Sequence, residues 1–287
     1  MLRAPGPAPL SPTDWLELAF LIWAGSVAVV VRPEVMWNIG AAAVVVVVFA
    51  RLAPGHPWAA RIHDLSPIVA IILFFELCGP LVDSSAPSLI DGSLRATDVR
   101  YFSVVGEAWR DALHRPAWLT DLASVSYVSF YFIPTAIALT LHAQGRAHEF
   151  RRFAFTLTAT FFASYVLYFV TPALGPRLPP AVEDHVLGGG VVSAWVRHFV
   201  HALEGAPLDA FPSGHTAGSL VFAVLGSRAF PRWAPALVAS AALIIFSTVY
   251  LSYHYVTDVA GGAALAAAML GLQPWLDALA DPTAEQR

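Results

Sequence analysis

Two histidines, an aspartate and an arginine stand in short polar segments of an otherwise apolar chain. His254 and Asp258 are four residues apart in Ser252-Tyr253-His254-Tyr255-Val256-Thr257-Asp258. On a helix that spacing puts both on one face. The carboxylate can then hold one ring nitrogen and leave the other as a nucleophile. An Asp in an apolar helix is costly without a partner, and the imidazole is the natural one. His215 closes the run Phe211-Pro212-Ser213-Gly214-His215. Pro suits the first helical position, and the backbone N–H groups of Ser213 and Gly214 at a helix start attract an anion. Arg177 lies in Gly175-Pro176-Arg177-Leu178-Pro179, a stiff loop that can offer a planar guanidinium to phosphate oxygens. Two imidazoles, a carboxylate and a guanidinium suit phosphoryl transfer. Each has a plainer role too: a structural His–Asp pair, an interfacial His at a helix start, and an Arg among lipid headgroups.

The elements that must position these groups are membrane helices. Of the 287 residues, 57% are hydrophobic and 13% charged, against about 25% charged in soluble domains. Mean hydropathy is +0.63. Apolar stretches near 20 residues long read as spans: 15–31, 35–50, 66–82, 122–141, 153–170, 217–230, 234–251 and 255–272. The expectation is an all-α polytopic bundle of about eight spans with a six-helix catalytic core. Residues 1–82 supply N-terminal membrane helices, 83–275 the catalytic membrane domain and 276–287 a short cytoplasmic tail. The first span is expected to open after Thr13 and Asp14 with Glu17 as capping partner. Residues 83–120 read as too polar to span. Arg51 and Arg61, the group Arg146, Arg151 and Arg152, and the pair Arg228 and Arg232 fall in alternate loops, which should face the cytoplasm. All three polar segments then face outward, with both termini inside.

Composition narrows the chemistry further. All sixteen basic residues are Arg, which removes Lys-based Schiff-base chemistry and Lys-based phosphate loops. Cys78 is the single cysteine, so neither an intrachain disulfide nor a thiolate metal cluster is available; it reads as packing. A net charge of −4 without charge blocks gives no sign of a nucleic-acid partner. The apolar composition makes surrounding membrane lipids expected partners. No cofactor and no metal are expected.

Pro212–His215, complete, and His254 to Asp258, followed by Val259 and Gly261-Gly262, resemble two motifs of the type 2 phosphatidic acid phosphatase superfamily. The resemblance covers roughly 91–272, and its first motif, around Arg177, is weak. Val170 stands where that family usually has a Lys, Leu178 separates Arg177 from Pro179, and Ser247-Thr248 stands where Ser-Arg is usual. This pattern is similar to the inositol phosphorylceramide synthase-like branch, as are Asp98, Trp118 and Tyr127. The resemblance implies that His254 attacks phosphorus, Asp258 orients it, and His215 moves the proton. Arg177 with the backbone of Ser213 and Gly214 would hold the non-bridging oxygens. The resemblance also implies a lipid phosphate substrate, with water and an alcohol acceptor both open. The setting it implies is a bacterial cytoplasmic membrane with the site facing outward.

Rival readings use the same residues. An intramembrane serine protease would use Ser213 and His254. A metal site would use His215, His254 and Asp258. A non-catalytic transporter or scaffold would need none of them. Glu76, mid-span, is either a functional acid or a buried hydrogen-bonding group. Arg95, Arg100, Arg110, Arg115 and Arg197 lie in outer segments and read as solvated charges, one or two of which could cover the site. His185, His198 and His201 read as loop surface. His142 and His148 read as interfacial, and Trp23, Trp37, Trp118, Trp195 and Trp233 as an aromatic belt.

Overall fold

The structure, a computed structural model, describes residues 10–53, 56–85, 88–111, 116–177, 190–203 and 208–280. Among them the chain is all helix, with no strand beyond a single bridge between Ala173 and Asp209. The helices are α1 (Pro12–Val31), α2 (Met36–Leu52), α3 (Pro57–Ser85), α4 (Asp91–Asp111), α5 (Ala117–Ala143), α6 (Ala147–Val170), α7 (Val191–Leu203), α8 (Gly214–Ala229), α9 (Ala234–Tyr250), α10 (Val256–Gly271) and α11 (Gln273–Ala280).

All eight expected apolar segments are helical. Among the described residues six helices are long and apolar enough to cross a membrane, or seven if α10 and α11, bent by 58°, form one span. The remaining one, α8, has 16 residues, just under the roughly 17 typical of a span, and still runs from the His215 end to the end that carries Arg146. Large apolar side chains such as Val30, Val44, Ile72 and Phe132 are exposed, as they must be where lipid replaces water. The chain is a multi-pass membrane protein.

α6 is the central post. It packs on α3, α5, α8 and α10 and buries Phe153, Leu157, Phe161, Phe162, Tyr165 and Tyr168 in the main core. α8 lies between α6, α9 and α10. α1 and α3 pack on the far side of α6 through stacked rings of Phe20, Phe74 and Phe162.

Several local expectations are corrected. α1 is capped by Ser11, with Pro12 at its first turn and Asp14 completing the capping box. Glu17 is instead buried at 1% exposure. α3 starts at Pro57 rather than near Ser66, because its polar first turns find partners: His63 Nε2 meets Asp14 Oδ1 at 2.9 Å, and Asp64 meets His142 at 3.2 Å. Glu76 is exposed on α3, neither buried nor part of a site. Trp23 packs edge-on against Phe169 at 4.8 Å instead of joining the belt, whereas Trp37, Trp118, Trp195 and Trp233 are well exposed. Residues 276–280 belong to α11, whose Leu276 joins Phe155 and Met269 in a buried cluster; 281–287 lie outside the described residues. Cys78 is buried and free.

Candidate active site

The His254 turn is built by the end of α9. The Thr248 carbonyl accepts the amides of Tyr253 and His254 at 3.0 and 3.1 Å, and Ser252 takes a positive φ of 63° to close the turn. α10 then begins at Val256. Asp258 Oδ2 accepts the Tyr255 amide at 2.7 Å and stands 3.4 Å from His254 Nδ1. That separation is longer than a well-formed hydrogen bond. Asp258 has no exposed surface and His254 only 5%. Asp258 Oδ1 has no hydrogen-bond partner.

α8 starts beside α10. The Ser213 amide donates to the Asp258 carbonyl at 3.1 Å, which joins the two helix starts directly. Gly262 makes this approach feasible: a Cβ there would lie 2.4 Å from the Ser213 carbonyl oxygen. Ser213 Oγ caps α8 by accepting the Thr216 amide at 3.2 Å. Ser213 is thus fully buried, with its amide and hydroxyl both committed within the fold. Ser213 therefore caps α8, while its amide is engaged by α10. The same commitment argues against a protease nucleophile.

His215 follows at once. Its ring stacks on Tyr127 at 4.3 Å and lies 4.2 Å from Phe130, both on α5. Its centroid is 6.1 Å from that of His254. The imidazoles, 39 positions apart in the chain (254 minus 215), therefore share one buried end of the bundle.

Arg177 approaches from the loop after α6. Gly175, at φ +78°, lets that loop pass close under the Tyr253 carbonyl, where a Cβ would sit 2.5 Å from the oxygen. Asp91 accepts the amides of Leu174 and Gly175 at 3.0 and 2.8 Å, and the Ala210 amide donates to Ala173 at 3.0 Å. The guanidinium donates to Asp209 Oδ1 at 2.6 Å, and Asp209 lines the same cavity as His215. Leu178 and Pro179 lie outside the described residues. Among the described residues no group of three His, Cys, Asp or Glu side chains is arranged to hold a metal ion, so the proposed three-ligand set lacks the geometry.

Residues 93–272 match the PAP2 superfamily, a span of more than half the chain. The chain belongs to the PAP2 superfamily. It is also 23% identical over 160 residues to a PA-phosphatase related-family protein of Dictyostelium discoideum; the match covers 48% of this chain and 29% of that relative. The chain thus spans less than a third of that relative's length. No solved structure matches it. α1–α3 precede the PAP2 superfamily match.

Three aspartates hold the segments of the candidate site, and only Asp98 was named in the sequence, by resemblance and without this role. Asp98 on α4 is 4% exposed and accepts from the amides of Val256 and Thr257 at 2.9 and 2.8 Å and from Thr257 Oγ1. It is an N-cap for α10 supplied from another helix. Asp91 does the same for the Arg177 loop, and Asp121 for α7 through Gly190 and Ser193. Their shared signal, isolated Asp residues in outer segments, has no local spacing to mark it. Of the outer arginines, Arg95 and Arg100 are exposed as expected, while Arg197 is buried at 8%, a correction to its reading as a solvated charge. Its neighbours Val196 and Val200 pack with Tyr127 and Tyr253, the residues beside His215 and His254. The side chains of Arg110 and Arg115, and all of His185, lie outside the described residues. His198 and His201 fall on α7, with His198 exposed.

Proposed function

We propose that this protein cleaves or transfers phosphate esters of lipids through a covalent phosphohistidine at His254. The observation that carries this reading is the buried convergence of the His215 ring with the His254–Asp258 pair, at 6.1 and 3.4 Å respectively. His254 Nε2 attacks phosphorus. The P–N bond forms as the bond to the leaving alkoxide breaks, and protonated His215 gives its proton to that oxygen. Asp258 fixes the ring orientation through Nδ1 and stabilises the charge that develops on it. In the second step an acceptor hydroxyl attacks phosphorus, His215 takes its proton, and the P–N bond breaks. Arg177, Gly214 N–H and the buried Arg197 supply positive character for the equatorial oxygens. Arg197 would compensate for the cations that Val170 and Thr248 do not supply.

In this reading the site faces the non-cytoplasmic side, which the cluster of Arg146, Arg151, Arg152 and Arg228 at the opposite ends of α6 and α8 supports. A second reading, transfer to a polyol or lipid alcohol as in inositol phosphorylceramide synthases, is favoured by the burial of His254 and Asp258, because a transferase must exclude water. Purified protein incubated with a panel of lipid phosphates decides between them. Free phosphate marks hydrolysis, and a new phospholipid without free phosphate marks transfer. Neither product with any lipid, and no inhibition by vanadate, would remove the enzymatic reading.

A further inference from the structure

An apolar groove leads away from the candidate site into the membrane-embedded body. At its upper end it is lined by Asp209, Gly214 and His215, and at its lower end by Pro67, Ala138 and Ala154. Its walls are α3, α5 and α6, and the cavity measures about 120 Å³. The α6 wall runs from Phe153 to Tyr168, roughly 22 Å at 1.5 Å per residue. One leaflet of hydrocarbon is about 15 Å deep, so the length of this wall covers the depth an acyl chain spans in one leaflet.

Its lining is apolar by construction. Tyr165 and Thr135 turn their hydroxyls onto backbone carbonyls, of Ile71 at 2.9 Å and of Tyr131 at 2.8 Å. Thr158 Oγ1 is a buried exception. Ile72, on the α3 wall, is 44% exposed, so the groove reaches the outer surface of the bundle where lipid surrounds it. The α3 wall lies before residue 93, outside the superfamily match. Phe75 and Ile71 close the side that the matched helices leave open.

We infer that this groove holds an acyl chain of the substrate, and that α3 sets which chain lengths are accepted. The inference rests on the lipid-phosphate reading above. The phosphate stays with Arg177 and the imidazoles while the chain descends between α3 and α6, entering sideways from the bilayer past Ile72. An acyl chain is the occupant because one end of the groove opens on the candidate site and its side opens on lipid.

Two variants shorten the lower end without touching the site: Ala154→Phe and the milder Ala138→Val, at residues 7% and 3% exposed. The probes are dipalmitoyl and dihexanoyl phosphatidic acid. Expected is a fall in kcat/KM of about tenfold or more on the dipalmitoyl lipid with Ala154→Phe, the effect of denying burial to roughly two methylenes. The dihexanoyl lipid should keep near wild-type turnover, and Ala138→Val should show the same preference more weakly. Equal loss on both lipids in both variants, or no loss on the long one, overturns the inference. A parallel arm needs no turnover: wild-type protein is irradiated with phosphatidic acid carrying a diazirine at the end of its palmitoyl chain. Labels on Pro67–Ile72 or Ala154 support the groove; labels confined to outer positions such as Val45 or Phe132 overturn it. If wild-type protein turns over neither lipid but the labels still fall in the groove, the catalytic reading fails and the acyl site stands.

Discussion

At the scale of single residues, the candidate site rests on a pair whose geometry is nearly complete. His254 Nδ1 and Asp258 Oδ2 are 3.4 Å apart, and Asp258 is held by the Tyr255 amide, so the carboxylate is fixed before any ligand arrives. His254→Gln should abolish turnover and the acid-labile phosphoprotein, while the variant still elutes as a folded species. Near wild-type turnover in that variant would falsify the nucleophile assignment. His215→Ala should lower kcat by about 10²–10⁴-fold, the range for one general acid–base group. Ser213→Ala separates the phosphoryl-transfer and protease readings. Loss of its cap should cost about 1 kcal/mol, seen as a lower Tm, yet activity should persist; complete loss of activity, with Ser213 labelled by a fluorophosphonate, would favour the protease.

At the scale of elements, the site is made by helix starts held together from outside their own sequence. α8 and α10 meet through the Ser213 amide and the Asp258 carbonyl at 3.1 Å, and Asp98 on α4 caps α10. Asp98→Ala should lower turnover more than tenfold, since it frees the turn that carries Asp258, at a stability cost of about 1–3 kcal/mol for the donors left unpaired. Asp98→Asn, which keeps one acceptor oxygen, should recover part of both; a paired measurement of kcat and Tm checks this, and equal damage from both variants would show that the cap does not act through geometry. Gly262→Ala should destabilise by about 1–3 kcal/mol by overpacking, because the added methyl meets the Ser213 carbonyl at 2.4 Å.

At the scale of the molecule, the two ends of the bundle differ in kind. One carries His215, His254, Asp258 and Arg177. The other carries paired basic residues: Arg146 reaches the Ala229 carbonyl at 2.9 Å, Arg152 pairs with Asp277, and Arg228 with Gln273. If the basic end lies in the cytoplasm, a cysteine placed at exposed Ala96 should react with an impermeant maleimide on intact cells. One at exposed Gln144 should react only after permeabilisation. Both positions are exposed, and Cys78 is buried, so background labelling should be low. The opposite labelling pattern would turn the site to the cytoplasm.

Hydropathy and motif spacing carried much of this in the sequence itself. The apolar runs became helices because a chain in lipid must satisfy its backbone locally, whereas His254 lies in the turn before α10, so it meets Asp258 through a turn closed on the Thr248 carbonyl and not through a shared helical face. What lay beyond local reading came from contacts between distant segments. That the Ser213 amide binds the Asp258 carbonyl was not legible locally, and Arg197 looked solvated until α7 packed on α5. α3 is the span its hydropathy announced, and its place as the wall of a groove ending at His215 comes from packing. Such roles depend on which neighbour takes each donor or covers each face, and only the packing of helices far apart in the chain decides that.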